Sequence, residues 1–340
     1  MNILIATGIY PPEIGGPAEY AKQLDKALYE QGFRVSVVTY GSLKRFPTGI
    51  RHFLYFLRFF FKTFSTDYII ALDPFSVGFP ALLYAKLFRK KIVVRIGGDF
   101  LWESFAERTK EKVLLSDFYT KPRNFNFKEK TIFKIISFVL KNVDKVIFST
   151  KWQRDIMQKP YNIILDKTEI VENFYPKTSH IKNVFTTEKK VFLSPSRDIF
   201  IKNKKTVEEA FSMVQKNYPN IELDTKTLPH SMLLEKIKNS YAVIVASLSE
   251  VSPNLVFDAF QCGVPVIVTK DTGISEYIKN LAVFVDPLSV SDISSGIIKL
   301  LDSEIYNSYA NKITTDTRVH SWDEIAKEFI DIYTKICKKI

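Results

Sequence analysis

The sequence predicts an α/β protein made of two doubly wound, Rossmann-like parallel-sheet domains. Three observations predict this. Short apolar runs alternate with segments of helical period. The alternation lapses in a polar stretch around 175–190 and then restarts. The length of 340 residues exceeds one ordinary α/β domain and fits two of roughly 150.

Element by element, Asn2–Ala6 is an apolar run that reads as a buried parallel strand. A turn-rich segment follows from Gly8 to Pro17, with Pro11-Pro12 and Gly15-Gly16 inside it. Ala18–Gln31 places Ala18, Ala21, Leu24, Ala27 and Leu28 on one helical face, and Gly32 stops it. Val35–Thr39, Tyr68–Leu72, Ile92–Ile96 and Val143–Ser149 repeat the strand signal. The second series runs Val191–Ser194 (strand), Lys205–Asn217 (helix), Tyr241–Ser247 (strand), Pro253–Cys262 (helix) and Val264–Thr269 (strand). Trp322–Lys338 is a final amphipathic helix. The expected domains are 1–170 and 171–320, with 321–340 packing back on the first.

Composition narrows the class. Hydrophobic residues make up 46% and charged residues 25%, the balance of a globular chain. No apolar run approaches the ~18 residues that span a bilayer, and Met1–Ile5 lacks the basic flank of a signal peptide. The only cysteines, Cys262 and Cys337, suit a reducing compartment, so a cytoplasmic chain is expected. The net charge of +11 is unevenly spread. Residues 1–170 carry 27 Lys and Arg against 16 Asp and Glu, and the rest carry 21 against 21. Either the first domain meets an anionic partner such as a membrane surface, or the charge only serves solubility.

The strongest local signal is Ser247–Val268, SLSEVSPNLVFDAFQCGVPVIV. Ser252 is expected to cap a helix with Pro253 in its first position, leaving the amides of Asn254, Leu255 and Val256 without intrahelical partners. A helix start just past the carboxyl end of a strand suits a diphosphate. Glu250 stands immediately before that start, and Asp258 lies on the second turn, placed to accept sugar or ribose hydroxyls. The plainer alternative makes Glu250 a helix-dipole residue and Asp258 a solvated one.

Glu250 and Asp258, separated by seven residues and followed by AFQCGVPVI, resemble the E-x7-E element of the retaining group 1 (family-four, glycogen-synthase-like) glycosyltransferases. Arg197 and Lys202 in SRDIFIKN resemble the pair that grips the donor diphosphate in that family. NILIATGIYPPEIGGPAEYAKQL resembles its first strand, glycine-rich loop and first helix, and Asp67–Asp99 resembles the middle of its acceptor domain. The resemblance implies a GT-B fold, with the two domains facing across a cleft. It implies an N-terminal acceptor domain, a C-terminal nucleotide-sugar domain, and transfer with retention of configuration. The acceptor would be a glycan or lipid-linked glycan, handled peripherally at the cytoplasmic membrane face. No cofactor is expected beyond the nucleotide-diphosphate sugar, which is the donor substrate. The implied catalytic set is Glu250, Asp99, Arg197 and Lys202. Donor binding would use Gly15, Gly16, Arg197, Lys202, Glu250, Pro253, Asn254, Leu255, Val256 and Asp258. In physical terms, the Arg197 fork and the Lys202 point charge would stabilise a departing diphosphate. The glycines would let main chain approach ligand, or simply form a turn. Asp99, after Gly97-Gly98 at the end of a strand, sits where the family often has a His. It either reaches the ligand crevice or caps a turn, and Asp73 shares that ambiguity.

The chain departs from the pattern at Asp258, usually Glu, and at Val251, usually Gly. It also departs across Ile221–Asn239, which is short and lacks a glycine-containing loop. Asp-x-Asp is absent and the histidines His52, His180, His230 and His320 lack metal-ligand spacing, so no metal is expected. P-loop and dinucleotide glycine motifs are also missing. A nucleic-acid-binding protein that uses the basic half, and a sugar-nucleotide epimerase on the same fold, are the alternatives. The first has no recognisable binding motif, so no nucleic acid is expected. Finally, Ile50–Phe64 puts Arg51, Arg58 and Lys62 on one stripe among Phe53, Leu54, Phe56, Leu57, Phe60 and Phe61. It is either an interfacial helix with its cations toward headgroups, or a crossover helix packed on the sheet, which the topology requires at that point.

Overall fold

The computed structural model describes residues 1–13, 15–62, 65–178 and 189–338. His180 and most of the polar stretch expected to join the domains lie outside the described residues. In chain order the strands are β1 (Asn2–Thr7), β2 (Arg34–Thr39), β3 (Tyr68–Ala71), β4 (Lys91–Ile96), β5 (Lys145–Phe148), β6 (Thr168–Ile170), β7 (Lys190–Leu193), β8 (Ile221–Asp224), β9 (Ala242–Val245), β10 (Val266–Thr269) and β11 (Ala282–Val285). The α-helices are α1 (Gly16–Glu30), α2 (Thr48–Lys62), α3 (Gly78–Leu87), α4 (Phe100–Thr109), α5 (Leu115–Phe118), α6 (Phe127–Asn142) and α7 (Lys151–Tyr161). After them come α8 (Lys204–Gln215), α9 (His230–Lys238), α10 (Asn254–Gln261), α11 (Val290–Leu301), α12 (Ser303–Thr315) and α13 (Trp322–Lys338). The chain divides into two compact units, Met1–Leu101 with Asn124–Asn173 and His320–Ile340, and Trp102–Arg123 with Phe174–Val319. The short segment 102–123, from the first half of the sequence, counts with the second unit.

The first unit holds a six-stranded sheet in the order β2-β1-β3-β4-β5-β6, every pairing parallel. Its central strands are buried on both faces, which is why they read as unbroken apolar runs. Helix α1 begins at Gly16, two residues ahead of the expected start, with Gly15 as its N-cap at φ 152°. That conformation is one that side-chain-bearing residues rarely adopt. Gly78 opens α3 where a Cβ would lie 2.6 Å from the Asp73 carbonyl oxygen. Helix α13 packs in this unit. Trp322 meets Tyr20 edge-on at 5.1 Å, and Tyr333 meets Tyr68 at 4.9 Å. A capping box starts it, with Ser321 Oγ accepting from the Glu324 amide at 3.2 Å and Glu324 Oε2 accepting from the Ser321 amide at 2.7 Å.

The aromatic helix α2 takes the crossover placement. Tyr55 and Phe59 are fully buried, and Phe59 stacks on Tyr84. The headgroup-facing role fails for two of its three cations. Arg58 Nη1 donates to the carbonyls of Thr39 and Tyr40 at 2.7 and 2.9 Å, and Arg51 lies over the Tyr40 ring. These groups tie down the end of β2. The side chains of Phe60, Phe61 and Lys62 lie outside the described residues.

The second unit holds a five-stranded parallel sheet, β11-β10-β9-β7-β8. Strand β7 is flanked by β8 on one side and β9 on the other, so the winding reverses between β7 and β9. The crevice beyond the carboxyl ends of such a strand pair is where doubly wound sheets bind ligands. The short 221–239 stretch supplies β8 and α9.

Candidate functional site

Two loops enter that crevice. The loop after β7 carries Arg197 and a 3-10 turn, Phe200–Lys202. Asn203 follows in the left-handed region (φ 56°), a conformation asparagine tolerates better than most residues. Its buried Nδ2 donates to the carbonyls of Ala246 and Pro287 at 3.0 and 2.7 Å, and the Leu248 amide donates to Ile201 O at 2.9 Å. These bonds fasten the turn to the loop after β9. There, Lys202 Nζ lies 2.5 Å from Glu250 Oε1, and Ser247 Oγ donates to the same oxygen at 2.6 Å. The Lys202 and Glu250 side chains are 23% and 12% exposed, sheltered yet open on one side. The Glu250 main chain is also held. Its amide donates to Asp271 O and its carbonyl accepts from the Gly273 amide, both at 3.0 Å.

Helix α10 begins at Asn254. Pro253 is its N-cap, not its first helical residue, because its ψ of 114° is extended. The capping role expected of Ser252 therefore moves one residue on. The Val256 amide donates to the Pro253 carbonyl at 3.1 Å, so of the three expected amides Val256 is already engaged inside the helix. Asp258 is buried and its Oδ1 stands 3.1 Å from His230 Nε2 on α9, so its surroundings are not those of a solvated face. Arg197 is exposed on its loop and forms no ion pair with the Lys202–Glu250 group among the described residues.

Gly15, Gly16, Asp73 and Asp99 belong to the first unit. Asp73 Oδ1 accepts from the amides of Phe75 and Ser76 at 2.6 and 2.7 Å, which makes it a turn-holder. Asp99 is 2% exposed and directly precedes α4. Cys262 is buried and its thiol is pushed up to about 11 by that burial, so it stays protonated and unreactive near neutrality. Among the described residues no group of three His, Cys, Asp or Glu could hold a metal ion, and no helix is long and apolar enough to cross a membrane.

The sequence singled out Glu250 and Lys202, whose side chains meet in the structure, and gave no role to the residues that hold them. Ser247 stood at the head of the quoted motif without a role. Asn203 carried a signal in being an asparagine just before a helix. Ser249, next to Glu250 in the same motif, was likewise given no role, and His230, Asp271 and the 102–123 segment, which lie outside the motif, carried no signal.

Comparisons with known proteins give the following likenesses. The model of the family described as Glycosyl transferases group 1 matches residues 225–318. The phosphatidylinositol N-acetylglucosaminyltransferase GPI3 subunit of Saccharomyces cerevisiae is 21% identical, over 98% of this chain and 83% of its own length. The structure superposes on sucrose-phosphate synthase from Thermosynechococcus elongatus with a TM-score of 0.72 at 14% identity, covering all of both chains. It superposes on Anabaena HepE in complex with UDP-glucose with a TM-score of 0.67 at 13% identity, covering 100% and 99%. The fold is GT-B, and the resemblance to the group 1 glycosyltransferases holds.

Proposed function

We propose that this GT-B chain, which resembles the group 1 glycosyltransferases, moves a sugar from a nucleotide-diphosphate sugar to a glycan or lipid-linked acceptor. The carrying observation is the Lys202–Glu250–Ser247 group, set beside the start of α10 where the second sheet reverses its winding. A departing diphosphate needs positive charge, which Lys202, the exposed Arg197 fork and the first α10 amides supply. As Lys202 turns toward the phosphate oxygens, Glu250 keeps its bond to Ser247. Its carboxylate is then free to stabilise the positive charge that grows on the sugar. Retention of configuration, and activity without a metal, belong to this reading. A UDP-sugar is the first donor to try, because HepE was solved with UDP-glucose.

The GPI3 name, with its phosphatidylinositol acceptor, supports a lipid acceptor met at a membrane face. So does the excess of cations before residue 170. Leu83, Leu87 and Phe138 are exposed on α3 and α6, and Lys86, Arg89 and Lys90 line a cavity at the end of α3. Co-sedimentation with anionic vesicles and not with neutral ones is expected. Equal recovery with both would remove the membrane part of the reading.

A thermal-shift screen against UDP-, GDP- and ADP-sugars tests the donor. A ligand at 100 times its dissociation constant adds about 2.7 kcal/mol. One nucleotide class is expected to stabilise the chain. The stabilisation should shrink in Arg197→Ala, whose unliganded melting temperature stays put because that side chain is exposed. No shift with any of the three donors would defeat the reading.

A further inference from the structure

Residues 102–123 form an arm that folds on the second unit. It carries its own small core, in which Trp102, Phe105, Leu115 and Phe118 are buried and Trp102 Nε1 donates to the Val113 carbonyl at 2.9 Å. Among the described residues, four of its polar contacts reach the segments around Lys202 and Glu250. Glu107 Oε2 accepts from the amide of Phe200, the first residue of the turn ending at Lys202, at 2.8 Å. Lys112 Nζ donates to Thr206 Oγ1, in the first turn of α8, at 2.9 Å. The Leu115 amide donates to Ser249 Oγ at 2.7 Å, and the Ser116 amide stands 3.4 Å from Asp271 Oδ2. The Ser249 hydroxyl donates to that same Asp271 oxygen.

Ser249 and Asp271 are both buried. A buried carboxylate needs donors, and here a hydroxyl and an arm amide supply them. Asp271 also accepts the Glu250 amide through its carbonyl, and two residues on, the Gly273 amide donates to the Glu250 carbonyl. Arm, hydroxyl, carboxylate and the Glu250 main chain therefore make one connected network, in which each bond depends on the next.

We propose that Ser249 and Asp271 are positioning residues for Glu250. Their hydroxyl–carboxylate pair latches the 107–116 arm to the 271–273 loop, and that loop holds Glu250 where its side chain meets Lys202. Neither residue touches the sugar or the diphosphate. The catalytic consequence rests on the glycosyl-transfer reading, but the latch itself does not.

Amide hydrogen exchange on the full chain tests the latch without any substrate. In the wild type, the amides of Leu115, Glu250 and Gly273 should be protected together. Ser249→Ala and Asp271→Ala should each speed exchange at all three by about 5-fold or more, the scale of one lost buried hydrogen bond. The double variant should exchange little faster than either single, because the two residues act as one unit. Faster exchange in the arm with Glu250 and Gly273 unchanged overturns the proposal, and so does no change anywhere. If Asp271→Ala does not fold, Ser249→Ala carries the same measurement alone. With whichever donor the thermal screen selects, Ser249→Ala should lower kcat while donor KM stays within about twofold. Raised KM at unchanged kcat overturns the positioning role. Coupled exchange in a chain that binds no donor would instead refute glycosyl transfer and leave the latch standing.

Discussion

Glu250 is held by two partners of different kinds, and they lead to separate outcomes. Ser247 fixes the carboxylate by a hydrogen bond from an uncharged donor, while Lys202 neutralises it in the donor-free state. Glu250→Gln keeps the shape and one acceptor but removes the charge. The melting temperature should stay within a few degrees, because the pair is near the surface and partly exposed. Donor binding should persist or tighten, since Lys202 loses a competing anion. The kcat should fall by about 10²-fold or more, the scale of losing one preorganised charge-stabilising group. Full kcat in Glu250→Gln would return Glu250 to a helix-dipole role. At this scale the sequence singled out Glu250, Asp258 and the Arg197–Lys202 spacing as candidates, but not the serines beside Glu250. The neighbour of Asp258, His230, could not be read, because it reaches the site from 28 residues away on another helix.

Among the elements, strands were the most legible, because parallel strands covered on both faces must be continuously apolar. Helix starts were less so. Pro253 is compatible with a first helical position, but its extended ψ makes it the cap, and only the folded loop decides that. Helix α2 had the right period, yet its cations could have pointed outward or inward. Hydrogen bonds to the Thr39 and Tyr40 carbonyls at the end of β2 settled the matter for Arg58.

Helix α13 gives this scale its prediction. His320 Nδ1 lies 3.2 Å from the Asn173 carbonyl and its Nε2 lies 3.2 Å from Glu328 Oε1, two acceptors that only a doubly protonated ring can satisfy together. The Glu328 bond raises its pKa above the usual histidine value. Burial opposes the rise, and the Asn173 carbonyl adds to it. A raised folded-state pKa stabilises fully below the unfolded value of about 6.5 and is lost as pH climbs through the folded value. The melting-temperature gap between wild type and His320→Gln, read by calorimetry, should therefore be widest below pH 6 and close toward pH 8. At roughly 1 kcal/mol or less for a half-exposed pair, the gap should be small. A gap constant across that range would contradict the imidazolium assignment.

Across the whole molecule, the two-sheet architecture followed from length and from the restart of the strand–helix alternation. The 102–123 arm did not, because nothing local tells an amphipathic segment which of two sheets will receive it. The five-stranded second sheet absorbs the short 221–239 stretch as one strand and one helix, leaving the winding reversal between β7 and β9 intact. That reversal, with Lys202 and Glu250 on its two loops, is the structural ground for glycosyl transfer. The most direct test is nucleotide release from UDP-, GDP- and ADP-sugars in EDTA, with and without oligosaccharide and lipid-linked acceptors, following both the nucleotide and the sugar. Glycosyl transfer predicts that one nucleotide diphosphate appears in step with sugar joined to acceptor, undiminished by EDTA. Release of free or epimerised sugar without acceptor, or turnover of none of the donors, would contradict it.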